Sequence, residues 1–282
     1  MKTFSMEPVD EQAKSIPCPT CGEKEYRSLW NNEHYTFVRC RNCRLVYQNP
    51  QPLKEDLARR YDKEYFEYER TNEEQFFNLM MLSLMDIDFP SVASALASDR
   101  RSFLDIGCAT GMLISNLKKD QWDVQGVEIC RPAAEFGIQT RGVPIFIGLL
   151  EKASFPVSSF SVVHCSHLIE HVTDPMAFLG EISRILRPGG YFIATTPNSN
   201  GLQARIFGNA WRSAIADHVI LYSRKTLKGL LQTNGFEVLR TKTWGGIAVG
   251  MAPPIIKWPV DRVAKTFGFG DVMIFLARKI AA

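Results

Sequence analysis

The 282-residue chain has no apolar run long enough to cross a bilayer. Its longest uncharged stretch of note, Trp244 to Ile256, has 13 residues broken by three glycines and the Pro253-Pro254 pair, too short for a span of about 20 residues. It also lacks a strong charge of either sign, with 33 basic residues against 30 acidic and a net charge of +3. A non-specific nucleic-acid binder is usually far more basic, so nucleic acid is disfavoured as a partner. No internal repeat or low-complexity run is present, which excludes solenoids and compositional linkers. The opening MKTFSMEPVDEQAK carries charges and no apolar segment, so no signal peptide is expected. At 45% hydrophobic and 22% charged residues, the chain is not a disordered one.

Cysteine is present in an odd number, seven, which with no export signal fits a reduced, cytoplasmic setting. Cys108, Cys130 and Cys165 stand singly in apolar segments and read as small buried fillers rather than nucleophiles. The other four form two C-x2-C pairs, Cys18/Cys21 and Cys40/Cys43, separated by 18 residues. Four thiolates at this spacing predict a tetrahedral Zn²⁺ site with no position left for water, hence a structural one. His34 is a rival ligand, but four cysteines suffice. Residues 1–15 are expected as a loose tail, 16–48 as a zinc ribbon, 49–100 as a helical linker or cap, and 101–282 as one α/β domain.

In that last region short apolar strands alternate with helical patterns: FLDIG, MLISNLKK, WDVQGVEI, PAAEFGIQTR, PIFIG, FSVVHCS, DPMAFLGEISRIL and GYFIATTP. The alternation predicts βαβ units and a parallel sheet. Asp174-Pro175 is a helix start and Arg187-Pro188-Gly189-Gly190 a helix stop. A helix, SRKTLKGLLQTNG, and two strands, FEVLRTKTW and DVMIFLARK, close the pattern. Asp105-Ile106-Gly107-Cys108-Ala109-Thr110-Gly111 runs from strand into a glycine turn, which lets a ligand approach the backbone. Only part of a dinucleotide fingerprint is there. The second strand ends in Glu128, an acid placed to accept hydrogen bonds from both ribose hydroxyls. Together these predict an adenosyl ligand.

The stretch LDIGCATG … VEI … EHVTDPMAFLGEISRILRPGGYFIATTPN resembles the class I S-adenosylmethionine-dependent methyltransferases over residues 101–282. More narrowly it is similar to a bacterial subgroup with an N-terminal zinc knuckle that includes sugar and secondary-metabolite methyltransferases. The resemblance implies a Rossmann-like α/β fold whose seven-stranded sheet has its last strand antiparallel. It also implies S-adenosylmethionine as cofactor. Asp105, Gly107, Cys108, Ala109 and Gly111 would line its methionine part, Glu128 its ribose, and Ile129 its adenine. Leu149 stands where many relatives have an aspartate for the adenine amino group, and Leu150 would pack on the ring. Ser161 likewise replaces a frequent aspartate before the fourth strand. Ser166 and His167 would pass near the sulfonium.

After the fourth strand the chain reads Cys165-Ser166-His167-Leu168, without the proline-proline-aromatic run of nucleic-acid nitrogen methylators. Transfer to oxygen or acidic carbon is therefore expected, on a small molecule, foremost a sugar or glycan-related acceptor, free or lipid-linked. His171 is the candidate general base, because its ordinary pKa suits proton removal near neutrality. Glu170 would orient it or bind a substrate hydroxyl, and His218 with Tyr222 lies in the insertion that roofs the acceptor pocket in relatives. Tyr61 and Tyr65 are candidates to close the other side, while Phe76, Phe77, Met80, Met81 and Met85 read as core. Two alternatives are an RNA methyltransferase that uses the ribbon for recognition, and a non-catalytic S-adenosylmethionine-binding adaptor. Residues 245–270 hint at an apolar flap for a membrane surface or a partner subunit, or at packing on the sheet.

Overall fold

A computed structural model of the chain describes residues 13–53, 63–97, 101–246 and 253–280. Five short strands come first: β1 Ala13–Lys14, β2 Tyr26–Asn31, β3 Thr36–Cys40, β4 Val46–Gln48 and β5 Gln51–Pro52. Helices α1 Lys63–Asp86 and α2 Phe89–Ala95 follow. The α/β region then runs β6 Ser102–Ile106, α3 Met112–Lys119, β7 Asp123–Glu128, α4 Arg131–Phe136, β8 Ile145–Ile147, β9 Phe160–Ser166, α5 Pro175–Ile185 and β10 Leu186–Pro197. It ends with α6 Leu202–Phe207, β11 Ile220–Leu221, α7 Arg224–Thr233, β12 Phe236–Trp244, α8 Pro254–Phe267 and β13 Val272–Lys279.

The central sheet has seven strands in the order β12-β13-β10-β9-β6-β7-β8. Strands β6 to β10 are parallel, and β13 slots antiparallel between β10 and β12. This is the expected α/β sheet, last strand reversed. Its centre is covered on both faces, which is why β6 is buried at every residue and β9 at all but Ser166; such strands read as continuous apolar runs rather than alternations. The order reverses between β6 and β9, and the crevice at such a switch point is where open α/β sheets take their ligands. Local signals hold the flanking helices. Asp174 caps α5 by accepting from the Ala177 amide at 3.0 Å, and Ser223 with Thr226 forms a capping box on α7, each worth about 1 kcal/mol. The helix stop at Arg187–Gly190 instead becomes the first part of β10, with an irregularity between Leu186 and Tyr191.

The ribbon is less separate than its sequence suggests. Its sheet has the order β11-β4-β3-β2, so one of four strands comes from the far side of the chain. Alternation puts the two faces to different uses. Val38, Cys40, Leu45 and Tyr47 join the same apolar cluster as Val219, Ile220, Tyr222 and Phe275. Phe37 and Val46 pack with Trp211, Ala214 and Leu221.

Helix α1 is one 24-residue helix. Of the residues read as core on it, Phe77 and Met80 pack against the cluster under the sheet, whereas Met81 and Met85 are exposed. They turn outward because the helix buries only the stripe that meets α2 and the sheet. In the 245–270 segment, residues 247–252 lie outside the described ones; the rest includes α8, which buries Ala264 and exposes Ile255, Val263 and Phe267. Among the described residues no single helix is long and apolar enough to cross a membrane.

Candidate active site

A cavity of about 540 Å³ opens at the carboxyl ends of the strands. One part is lined by Ile106 and Gly107 from the end of β6, Val127 to Ile129 from β7, and Gly148 to Leu150 after β8. Gly107 has φ +74°, and a Cβ there would stand 3.2 Å from Leu168, so the turn needs glycine. Glu128 is buried and engaged by backbone: its carboxylate accepts from the Ala109 amide at 2.8 Å and the Cys130 amide at 2.7 Å. Burial raises its pKa while those amides pull it back. The carboxylate oxygens retain acceptor capacity for a ribose hydroxyl. Ile129, Leu149, Leu150, Ser166 and His167 line the same cavity.

Asp105, Cys108, Ala109 and Gly111 do not line it. Asp105 lies opposite His164 in the β6–β9 ladder, and its carboxylate meets the His164 Nδ1 at 2.7 Å, both side chains buried. Cys108 turns toward β7, where a Cβ on Gly126 would stand 2.6 Å from its sulfur. Cys108, Cys130 and Cys165 are all buried. Gly111 packs against Val143. Ala109 contributes its amide, through Glu128.

The other part of the cavity is formed after β9. His167, His171 and His218 line it, whereas Glu170 does not: it is fully buried behind that lining, between the three histidines. It accepts from the Thr196 hydroxyl at 2.8 Å and lies 3.3 Å from the His167 Nδ1. Burial alone would raise its pKa, but the hydrogen bond from His167 and the fields of His167, His218 and His171 hold it down at about 2. A buried carboxylate without such partners would cost several kcal/mol. His167 has φ 51°, an uncommon conformation for a non-glycine residue. The His171 Nδ1 lies 2.8 Å from the Asp217 carbonyl and the His218 Nδ1 2.8 Å from that of Ser213. Those carbonyls place a proton on Nδ1 and make Nε2 the basic nitrogen in each neutral ring. The two rings meet edge to face, centroids 4.8 Å apart. Burial and the nearby His171 push the His218 pKa down to about 4. Glu170, His171 and His218 also bring their ligand atoms within 4.8 Å of one another, a set able to hold a divalent ion. Tyr222 does not reach the cavity; it is in the core between ribbon and sheet.

Sequence reasoning missed Glu69. Together with Tyr65 and Tyr68 it projects from α1 into the cavity. Burial and the like charge of Glu128 push its pKa up to about 7, opposed by a hydrogen bond from Tyr65 and by His167. The clue was available as spacing, since residues 65, 68 and 69 share a helical face. Helix α1 is fixed there by Glu73, which pairs with Arg141 at 2.7 Å and accepts from the Thr110 hydroxyl. Tyr61 lies outside the described residues.

At the ribbon, the Cys18 and Cys43 sulfurs are 3.5 Å apart and those of Cys21 and Cys40 3.6 Å. Four sulfurs around one Zn²⁺ at about 2.3 Å would stand roughly 3.8 Å apart, so the set fits that ion, and a disulfide at about 2.05 Å does not describe it. The neighbouring Cys18 thiol holds the Cys43 pKa down, while that contact and burial push Cys18 up. A cation would let both ionise.

Residues 77–241 match the family described as methyltransferase domain. Among curated relatives, the ubiquinone biosynthesis O-methyltransferase of Klebsiella pneumoniae is 29% identical over 123 residues, covering 41% of this chain and 47% of the relative. A protein of Arabidopsis thaliana named as a probable methyltransferase is 32% identical over 113 residues, 38% of this chain and 18% of that one. The matches thus span about half or less of those relatives' length. In fold, an S-adenosylmethionine-dependent methyltransferase of Archaeoglobus fulgidus superposes with TM-score 0.54 at 18% identity, covering 76% of this chain and 99% of that one. A chain of the Haloferax volcanii complex of the Trm112 methyltransferase activator with a methyltransferase gives 0.58 at 15% identity, covering 77% and 95%. The sheet order and the switch-point cavity go with the fold of these solved methyltransferase structures. The chain belongs to the methyltransferase-domain family.

Proposed function

We propose that the protein transfers the methyl group of S-adenosylmethionine to a hydroxyl oxygen, or an acidic carbon, of a small molecule, foremost a sugar or glycan-related ring. The observation that carries this reading is the pair His171 and His218 in one cavity with Glu128 and Gly107, backed by the buried Glu170. The donor, when bound, supplies an electrophilic methyl on a cationic sulfur. Gly107, Glu128, Ile129, Leu149 and Leu150 are the residues to hold it. His171, with Nδ1 turned to the Asp217 carbonyl, presents Nε2 as the base that takes the acceptor's proton. Glu170 stays ionised and stabilises the imidazolium that forms, much as a buried acid does in a catalytic triad. His218 stays neutral near pH 7 and serves as a hydrogen-bond acceptor for the substrate hydroxyl. The faces of Tyr65 and Tyr68 suit a flat or pyranose ring. Cys18, Cys21, Cys40 and Cys43 hold a structural zinc. The test is transfer of isotope-labelled methyl to a panel of nucleotide sugars, glycans and dihydroxy-aromatic rings. Labelling of RNA alone, or of nothing with the donor bound, contradicts it.

A second reading has its own observation, the two-histidine, one-carboxylate set. A divalent ion held by Glu170, His171 and His218 would lower the acceptor hydroxyl's pKa in place of a base. Activity lost on brief chelation and restored by Mg²⁺ or Mn²⁺, with the ribbon's zinc still bound, would favour it over His171 as base.

A further inference from the structure

We infer that the zinc ribbon braces the acceptor site from behind and that Gln48 is the positioning residue through which it acts. The inference rests on the acceptor-cluster reading above and assigns the ribbon a part in it.

The loop between α6 and β11 has little regular structure of its own. At one end Trp211 is pinned, its Nε1 donating to Asp271 at 2.5 Å. At the other end the ribbon holds it. Ile220 and Leu221 pair with Tyr47 and Val46, and the Gln48 amide donates to the Val219 carbonyl at 2.8 Å. The Gln48 side chain, 2% exposed, then reaches under the loop. Its Nε2 donates to the carbonyls of Ala216 at 2.8 Å and His218 at 2.9 Å, with Ile215 at 3.4 Å. Tyr35 of the ribbon donates to the Ala214 carbonyl. A side-chain amide suits this place because it carries two N–H donors that can meet converging carbonyls.

Each member of the cluster depends on that loop. His218 is part of it. His171 has its Nδ1 on the Asp217 carbonyl, and the Glu170 carbonyl accepts from the Val219 amide at 2.9 Å. The ribbon's own geometry is set by its cysteines. Cys40 ends β3 and its amide donates to the Leu45 carbonyl at 2.9 Å, one residue before β4 begins. The path from cysteines to histidines is therefore β3, β4, Gln48, loop. The donor side has no share in it, since Glu128 and Gly107 are held by backbone at the ends of β6 and β7.

Two substitutions and one readout test this in the full chain. Gln48→Met keeps the reach and the packing and removes the donors, so a role in packing alone would feel it little; Gln48→Glu keeps the shape and sets an acceptor against three carbonyls. The readout is the nitrogen NMR pattern of the five histidines, which reports which ring nitrogen carries the proton. In the wild type His171 and His218 are expected as Nδ1–H tautomers. In both variants these two should move toward a mixture, more so in Gln48→Glu, while His164 keeps its wild-type signal. S-adenosylhomocysteine affinity should stay within about twofold, as for distant independent sites. Wild-type patterns at His171 and His218 in both variants overturn the proposal. If His164 also changes, the fold is lost, and graded chelation of the wild-type protein decides: His171 and His218 should change before S-adenosylhomocysteine binding is lost, and simultaneous loss overturns the proposal. Failure of the wild type to bind S-adenosylhomocysteine would instead refute the functional reading.

Discussion

The half of the cavity proposed for the donor is assembled from the ends of three adjacent strands, β6, β7 and β8, and most of its contacts are backbone turns following one another in sequence. The acceptor half draws Glu170 and His171 from after β9, His218 from a long insertion, and its support from Gln48 in the ribbon. The first half is local in sequence; the second is assembled over long range. The difference teaches where each half is vulnerable. A donor site made of strand ends tolerates change elsewhere. An acceptor site hung between ribbon and insertion responds to changes far from the chemistry.

The largest expected effect is at the base. His171→Ala should lower turnover by ~10²–10⁴-fold, the usual share of a general base, with donor affinity kept. Steady-state rates with the acceptor found by isotope transfer check this, and a wild-type rate breaks the comparison. Next is the ribbon. Cys40→Ser should lose the metal and lower the melting temperature of the whole protein, because Cys40 belongs to the same apolar cluster as the sheet's Phe275. Metal analysis with differential scanning calorimetry reads both. An unchanged main transition would mean that the ribbon folds apart from the sheet.

Smaller is the loss at the ribose. Glu128→Ala should weaken S-adenosylhomocysteine by roughly 1–3 kcal/mol, the scale of charge-assisted hydrogen bonds. The smallest effect expected is a pH dependence at Glu69. Its carboxyl is raised to about 7, and a cationic donor held in the same cavity would favour the ionised form. S-adenosylmethionine should therefore tighten as pH rises from 6 to 8 and release a proton on binding. The sign for stability is opposite: the folded state holds the proton better than the unfolded chain, so this group's contribution is present below pH 4.5 and fades as pH rises through 7. Calorimetry in buffers of different ionisation enthalpy measures the proton. Gln at position 69 should flatten the trend, and a slope unchanged in Glu69→Gln assigns it to another group.

How much of this was legible in the sequence follows the same division. The strands, the glycine turn at Gly107, the cap at Asp174 and the acid at Glu128 each announce themselves within a few residues, because turns and caps are local physics. Glu170, His171 and His218 were visible only through a resemblance. That Asp105 faces His164 was not legible, since the pairing appears only once β6 and β9 are set in register. Glu69 shares a helical face with Tyr65 and Tyr68, but spacing alone does not show that this face meets a cavity. Gln48 had no signal at all, because its three carbonyl partners lie about 170 residues away. The ribbon's cysteines were legible but its attachment was not, since β11 is only two residues long.

The central claim, one cavity with two independently held halves, is tested most directly by titrating S-adenosylhomocysteine into Glu128→Ala and His171→Ala side by side. The account predicts a loss of roughly 1–3 kcal/mol in the first and wild-type affinity in the second. Equal losses in both would contradict it, because His171 would then be part of the donor site rather than of the acceptor's.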